Sequence, residues 1–293
     1  DCAPTAMGVI GAAYPAVFAS LGFIVVAPDY LGMRGWTGES DDLHAYVGAE
    51  PTALLSIDSL RALPNLIQVY NKDISFDPER IILWGASEGG FASLVTDRYL
   101  PHYAPAFGSL ATIAATPVTD LFAMAERAVT ELSPTSAGMV GVNVTLNQWY
   151  EANADLSTML QPEFLNVEEI LYASCDDFGS IAEVESVDEL FTQSFIDGVL
   201  ANDGSIAPWD CFATDNDIKT KVPYIRTAPT LIVTAEEDDL AWPTPVHNDI
   251  PFLCEQGYQI EHIQCAGAGH VSGILDSLKY QFDWMQARLN NEL

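Results

Sequence analysis

An α/β architecture, with a mostly parallel sheet and helices on both faces, follows from three features of the sequence. Short apolar, β-branched runs alternate with longer helical stretches along the chain, the order that crossover-connected parallel strands require. The buried-strand run Ile81-Ile82-Leu83-Trp84 leads straight into Gly85-Ala86-Ser87-Glu88-Gly89, a strand-to-helix turn with glycines flanking a serine. The chain has 293 residues, 49% of them hydrophobic, which suffices for one large core or a core with an insert.

From Cys2 to Pro28 no residue is charged, so a hydropathy window flags a membrane span or a signal peptide there. Pro15 and the break at Ser20-Leu21-Gly22 divide the run instead into a helix near 6–20 and a strand near 23–28. No basic segment precedes it, and it reads as buried core. The chain opens on Asp1 rather than Met, which implies that something upstream was removed or omitted. Further strands are expected near 81–85, 109–115, 230–235 and 259–265, and further helices near 51–70, 89–99, 245–257 and 271–290.

About 110 residues separate the strand that ends at Ala115 from the one that begins at Thr230, far more than a crossover needs. They hold helix-like stretches at Asp120–Glu131, Leu146–Asn153 and Val187–Leu200. The sequence therefore divides into a first core part at 1–116, a mainly helical cap or lid at 117–225 and a second core part at 226–293. No internal repeat or low-complexity tract is present.

Eleven basic against 41 acidic side chains give a formal charge of −30, which argues against nucleic acid and anionic membranes as partners. Solubility is one reading of this acidity, and adaptation to high salt, which screens self-repulsion, is another. The five cysteines, Cys2, Cys175, Cys211, Cys254 and Cys265, form no Cys-x-x-Cys pair and no metal-site spacing with histidine. No metal is expected. Their isolation suits an exported enzyme with Cys254–Cys265 and Cys175–Cys211 as candidate bridges, against buried thiols as the alternative.

A serine hydroxyl is a weak nucleophile until a base takes its proton and a carboxylate holds that base in one tautomer. After a Ser87 elbow the chain order should be acid, then histidine, each just beyond a strand. The strand Leu231–Ala235 runs into Glu236-Glu237-Asp238-Asp239, and the strand Ile260–Cys265 into Ala266-Gly267-Ala268-Gly269-His270. Loop reach favours Asp238 as the acid, with Asp239 the alternative and Glu236 and Glu237 solvated. His270 on its Gly-rich loop is preferred as base to His262 inside a strand, while His44, His102 and His247 read as structural. The backbone N–H of Glu88 supplies one oxyanion donor; its side chain either lines the pocket or is exposed. The second donor should come from a His-Gly loop ahead of the helix at 6–20, which this chain lacks. No cofactor is implied.

These stretches resemble the α/β-hydrolases, and among them the secretory lipases of the lipase A type and related bacterial serine esterases. The likeness is carried by Gly22–Gly32, by Ala49-Glu50-Pro51, by Gly85–Gly90 and by Gly267–His270. It implies an exported enzyme, secreted or in the periplasm or cell envelope, that hydrolyses carboxylic esters of small molecules or lipids, with the cap forming an acyl pocket over Ser87. A serine peptidase of the same fold, or a silent binding protein on that fold, are the alternatives. In that family three strands and the His-Gly loop precede a stretch like Asp1-Cys2-Ala3-Pro4, and another strand lies between those at 23–28 and 81–85. On this comparison 1–293 is the larger piece of a longer hydrolase whose first strands are missing, with an N-terminal fragment completing the sheet. Trp149, Tyr150, Phe164 and Leu165 in the cap either line an acyl tunnel or hold the cap to the core, and the second reading is preferred.

Overall fold

The computed structural model describes residues 3–9, 11–33, 42–70, 73–173, 181, 183–219, 222–225 and 228–291. Four strands, β1 (Ile81–Ala86), β2 (Ser109–Ala115), β3 (Pro229–Ala235) and β4 (Gln259–Cys265), form a parallel sheet in the order β1-β2-β3-β4. Among the described residues eleven α-helices accompany it. They are α1 (Ala13–Ser20), α2 (Ala49–Val69), α3 (Glu88–Tyr103), α4 (Leu121–Thr130), α5 (Pro134–Trp149), α6 (Val167–Ala173), α7 (Val187–Leu190), α8 (Gln193–Ala201), α9 (Trp209–Asp215), α10 (Pro243–Glu255) and α11 (His270–Leu289).

Successive residues of a strand point to opposite faces, and both faces of this sheet are covered. Ala111, Ile113 and Ala115 of β2, with Leu231 and Val233 of β3, pack against Phe18 of α1 and Ile274, Trp284 and Met285 of α11. On the other face Ala114 joins Phe91, Leu94 and Val95 of α3, in a cluster that continues without a break into α4, α5, α8 and α9. Each buried Val, Leu, Ile, Phe or Met side chain among them contributes about 1.5–3 kcal/mol, and the alanines less. Because every strand runs the same way, their C-terminal ends share one edge of the sheet, where open α/β sheets bind ligands. The loops after β1, β3 and β4 all open there.

The run 23–28 belongs to no strand. Phe23 and Val25 pack on the α1–α11 cluster as expected. The hydrogen-bonded ladder is missing because β1 pairs only with β2, so no strand lies beside 23–28 among the described residues. The helix expected at 6–20 is shorter: Pro4–Met7 make one 3-10 turn, Gly8 takes φ +59°, and α1 begins only at Ala13. Gly11 is packed so closely that a Cβ there would lie 1.8 Å from the Pro4 carbonyl oxygen. No helix among the described residues is long and apolar enough to cross a membrane.

Between β2 and β3 only Leu146–Trp149 of the helix expected at Leu146–Asn153 is helical, as the tail of α5, which starts at Pro134. Its Gly138, Val140, Gly141, Val142, Val144 and Thr145 are weak helix formers. Burial of almost the whole helix overrides that propensity; at its start Pro134 takes the first position and the Ser136 hydroxyl accepts from the Ser133 N–H. The stretch Val187–Leu200 breaks into α7 and α8 because the Thr192 side chain accepts from the Phe195 N–H and starts a new helix.

The Cys254–Cys265 bridge does not form; both thiols are free. Cys254 lies in the last turn of α10, shortly before β4 begins, whereas Cys265 is the last residue of that strand. A seven-residue strand therefore sets them about 20 Å apart, while a bridge needs Cα atoms within about 7 Å. Cys2 and Cys175 lie outside the described residues, and with them the Cys175–Cys211 pair.

Candidate active site

At the end of β1 the ladder to β2 is prolonged by the Ser87 N–H, which donates to the Ala115 carbonyl at 2.8 Å. Ser87 itself takes φ +57° and ψ −122°, a left-handed conformation that costs a non-glycine residue about 1–3 kcal/mol. The chain then turns at once into α3, with Gly90 and Phe91 donating back to the Ser87 carbonyl. A Cβ on Gly85 would lie 1.9 Å from the Gly89 carbonyl oxygen, and one on Gly90 would lie 2.9 Å from that of Ala115. Gly89 has open space where a Cβ would go. The glycines required for clearance are therefore Gly85 and Gly90, not the one two residues after the serine.

The loops after β3 and β4 are tied together. The Glu236 N–H donates to the Cys265 carbonyl, the Glu237 N–H to that of Ala268, and the Gly267 N–H to the Glu236 carboxylate. Gly267 takes φ +65°, and His270 opens α11. From there its Nε2 lies 2.8 Å from Ser87 Oγ, and its Nδ1 lies 2.8 Å from Asp238 Oδ2. The Asp238 side chain is fully buried and that of His270 is 11% exposed. The other Asp238 oxygen accepts from the Leu240 and Ala241 N–H groups at 3.0 and 2.8 Å. Asp239 is exposed and makes no such contact.

Two braces on the acid loop carried no sequence signal, because both cross from the segment between β2 and β3. Arg127 of α4 donates to the Asp238 carbonyl, and Thr135 of α5 donates to those of Asp239 and Leu240. Helix α5 also lines the cleft beside Ser87 with Thr135, Gly138, Met139 and Val142; Leu121 and Met124 of α4, Val118, Tyr46, Val47, Leu240 and Ala241 complete it. The cleft holds about 360 Å³, its open mouth included. None of Trp149, Tyr150, Phe164 or Leu165 is among these residues. Phe164 is buried in the main cluster and Tyr150 stacks on Phe212.

Glu88, the first residue of α3, has a backbone N–H with no intrahelical acceptor. Its side chain neither lines the cleft nor faces solvent. It accepts from His44 Nε2 at 2.5 Å and from the Val47 N–H at 3.2 Å. His44 is thus more than a packing residue. His262 of β4 and His247 of α10 lie together, both near Thr234 Oγ1, and His102 bonds the Pro223 carbonyl.

A family model of the secretory lipases matches residues 15–293. The chain belongs to the secretory lipase family. Its fold is that of the α/β-hydrolases, and this secretory lipase is a hydrolase of the lipase or carboxylesterase type. A presumptive hydrolase from Legionella pneumophila superposes with a TM-score of 0.79 at 20% identity, covering 96% of this chain and 74% of its own. The rice cell wall degrading esterase LipA from Xanthomonas oryzae gives 0.67 at 16% identity, over 90% of this chain and 71% of that one. Candida antarctica lipase A gives 0.66 at 13% identity, over 85% of this chain and 56% of that one. The curated proteins include no match to the sequence.

Proposed function

We propose that this secretory lipase hydrolyses carboxylic esters through an acyl-enzyme on Ser87. The observation that carries the reading is the unbroken hydrogen-bonded chain from Ser87 Oγ through His270 to the buried Asp238. In it, Ser87 attacks the ester carbonyl while His270 Nε2 takes its proton, and His270 then returns that proton to the leaving alcohol. Asp238 accepts the Nδ1 hydrogen, which fixes the tautomer and stabilises the imidazolium as it forms. The Glu88 N–H donates to the oxyanion. Water, activated by the same histidine, then releases the acid. The apolar cleft walled by α4 and α5 suits the acyl chain, and the segment 117–225 acts as the cap over Ser87. The family's description as secretory supports work outside the cytoplasm.

A fluorophosphonate probe tests the nucleophile. Labelling of the wild type and none of Ser87→Ala is expected. An unlabelled wild type would instead indicate a silent binding protein. Turnover of p-nitrophenyl esters far above that of peptide anilides is expected; the reverse order would make the enzyme a peptidase.

A further inference from the structure

The residue after the nucleophile is a glutamate, which is a difficulty for the reading above. An acyl-transfer oxyanion must form against the Glu88 N–H, and a carboxylate on the same residue opposes that negative charge. Burial makes this worse, because the side chain is only 16% exposed and solvent screens it little. The cation that answers it comes from a separate segment. His44 Nε2 meets Glu88 Oε1 at 2.5 Å, and His44 Nδ1 meets the Leu31 carbonyl at 3.2 Å. The Leu31 carbonyl can only accept, so Nδ1 carries a hydrogen, and the Nε2–Oε1 contact holds a second proton between the imidazole and the carboxyl.

We propose that His44 is a positioning residue that supplies the counter-charge to Glu88, keeping the ground beside the oxyanion neutral and the cleft wall at Tyr46 and Val47 in place. The inference rests on Ser87 being the nucleophile. The His44–Glu88 pair holds one proton more than a neutral imidazole and a carboxylate, so its net charge is zero wherever that proton sits. The ring is stacked on Tyr30, with centroids 5.1 Å apart, and Tyr46 meets it edge-on at 6.3 Å. Glu88 also accepts from the Val47 N–H, and Val47 is buried at φ +55°. One carboxylate therefore joins the elbow, the cation and the wall of the cleft.

Among the described residues, the titratable groups facing His44 are the Glu88 carboxylate from α3 and the phenols of Tyr30 and Tyr46. Burial first, and the Glu88 charge second, push both phenols above their ordinary range, so they stay neutral. For His44, burial works against the charge, but attraction and hydrogen bonding to Glu88, with the Leu31 carbonyl, outweigh it and hold the imidazole above its usual value. The counter-charge is therefore present at low pH and is lost as pH rises through that raised value. The wild type should show an alkaline fall in kcat as that charge is lost.

The test is kcat and KM for a soluble short-chain p-nitrophenyl ester across pH, in the full chain. His44→Gln keeps a donor to Glu88 but removes the charge; kcat is expected to fall about tenfold or more at neutral pH, by a larger factor than KM rises, and the alkaline limb to vanish. His44→Gln combined with Glu88→Gln removes both charges and is expected to recover most of that kcat, again without the limb. Should His44→Gln fail to fold, Glu88→Gln alone decides: loss of the alkaline limb supports the proposal and its persistence overturns it. A His44→Gln enzyme with wild-type kcat and limb overturns it too, as does a double variant as impaired as the single one, which would mean packing rather than charge. Fluorophosphonate labelling separates the two levels, since an unlabelled wild type removes the nucleophile itself, whereas labelled protein with any of these contrary profiles removes only the role of His44.

Discussion

Asp238 gives its two oxygens different partners, and that division leads to a sharp prediction. Oδ1 takes two backbone N–H groups of its own loop, and Oδ2 takes His270 Nδ1. In Asp238→Asn the amide oxygen can keep the two loop bonds, so the amide nitrogen is left to face Nδ1. A donor there forces the histidine into the tautomer that cannot accept the serine proton. Expected is a fall in kcat of about 10⁴-fold with the thermal midpoint little changed; activity within tenfold of wild type would mean that Asp238 does not orient the base. Asp238, Ser87 and His270 were legible because each lies in the first residues beyond a strand, where chain order and loop chemistry constrain the choice. His44 was not. It meets Glu88 only because the segments 31–33 and 42–48 fold back over the elbow, and nothing in its local spacing encodes that contact.

The elbow shows how a whole turn can depend on where backbone meets backbone. At Gly85 a methyl group would collide with the Gly89 carbonyl, which is part of the turn and cannot move aside. Gly85→Ala is therefore expected to cost about 3 kcal/mol or more, read as a lower urea midpoint, with labelling of Ser87 reduced. Gly89→Ala meets nothing within 4 Å and sits in the first turn of α3, where alanine is the better helix former by up to about 1 kcal/mol. An equal loss of stability in both variants would contradict the geometry. The other elements divide in the same physical way. The strands β1 to β4 and helices α2, α3, α10 and α11 were legible from continuous apolar runs and punctuating Gly and Pro, whereas the run 23–28 reads as a strand but lacks a partner. The extent of α5 was not, because its glycines, valines and threonines speak against a helix and only burial between β2 and β3 makes one.

The long segment between β2 and β3 is fixed to the core at both ends by one cation. Lys219 lies 2.7 Å from Asp120 at the start of that segment, 3.4 Å from Asp217 near its end, and 2.8 Å from Asp249 on α10. One ammonium facing three carboxylates leaves a surplus of negative charge in a half-buried site. Burial foremost, with Asp120 and Asp249 adding to it and Lys219 opposing, pushes the Asp217 carboxyl up to about 7. Burial likewise raises Asp249. A carboxyl raised in the folded state stabilises the protein below its unfolded value, near 3.8, and loses that contribution as pH climbs through about 7. This is the opposite of a simple salt-bridged aspartate. Asp217→Asn mimics the protonated form at every pH, so its thermal midpoint is expected to match the wild type near pH 4 and to exceed it increasingly toward pH 8. A difference in midpoint that stays constant across that range would show that Asp217 is ionised in the fold throughout. With a formal charge of −30 on the chain, added salt should screen the surplus at this junction as well as at the surface. The gap between variant and wild type at pH 8 should therefore narrow as ionic strength rises.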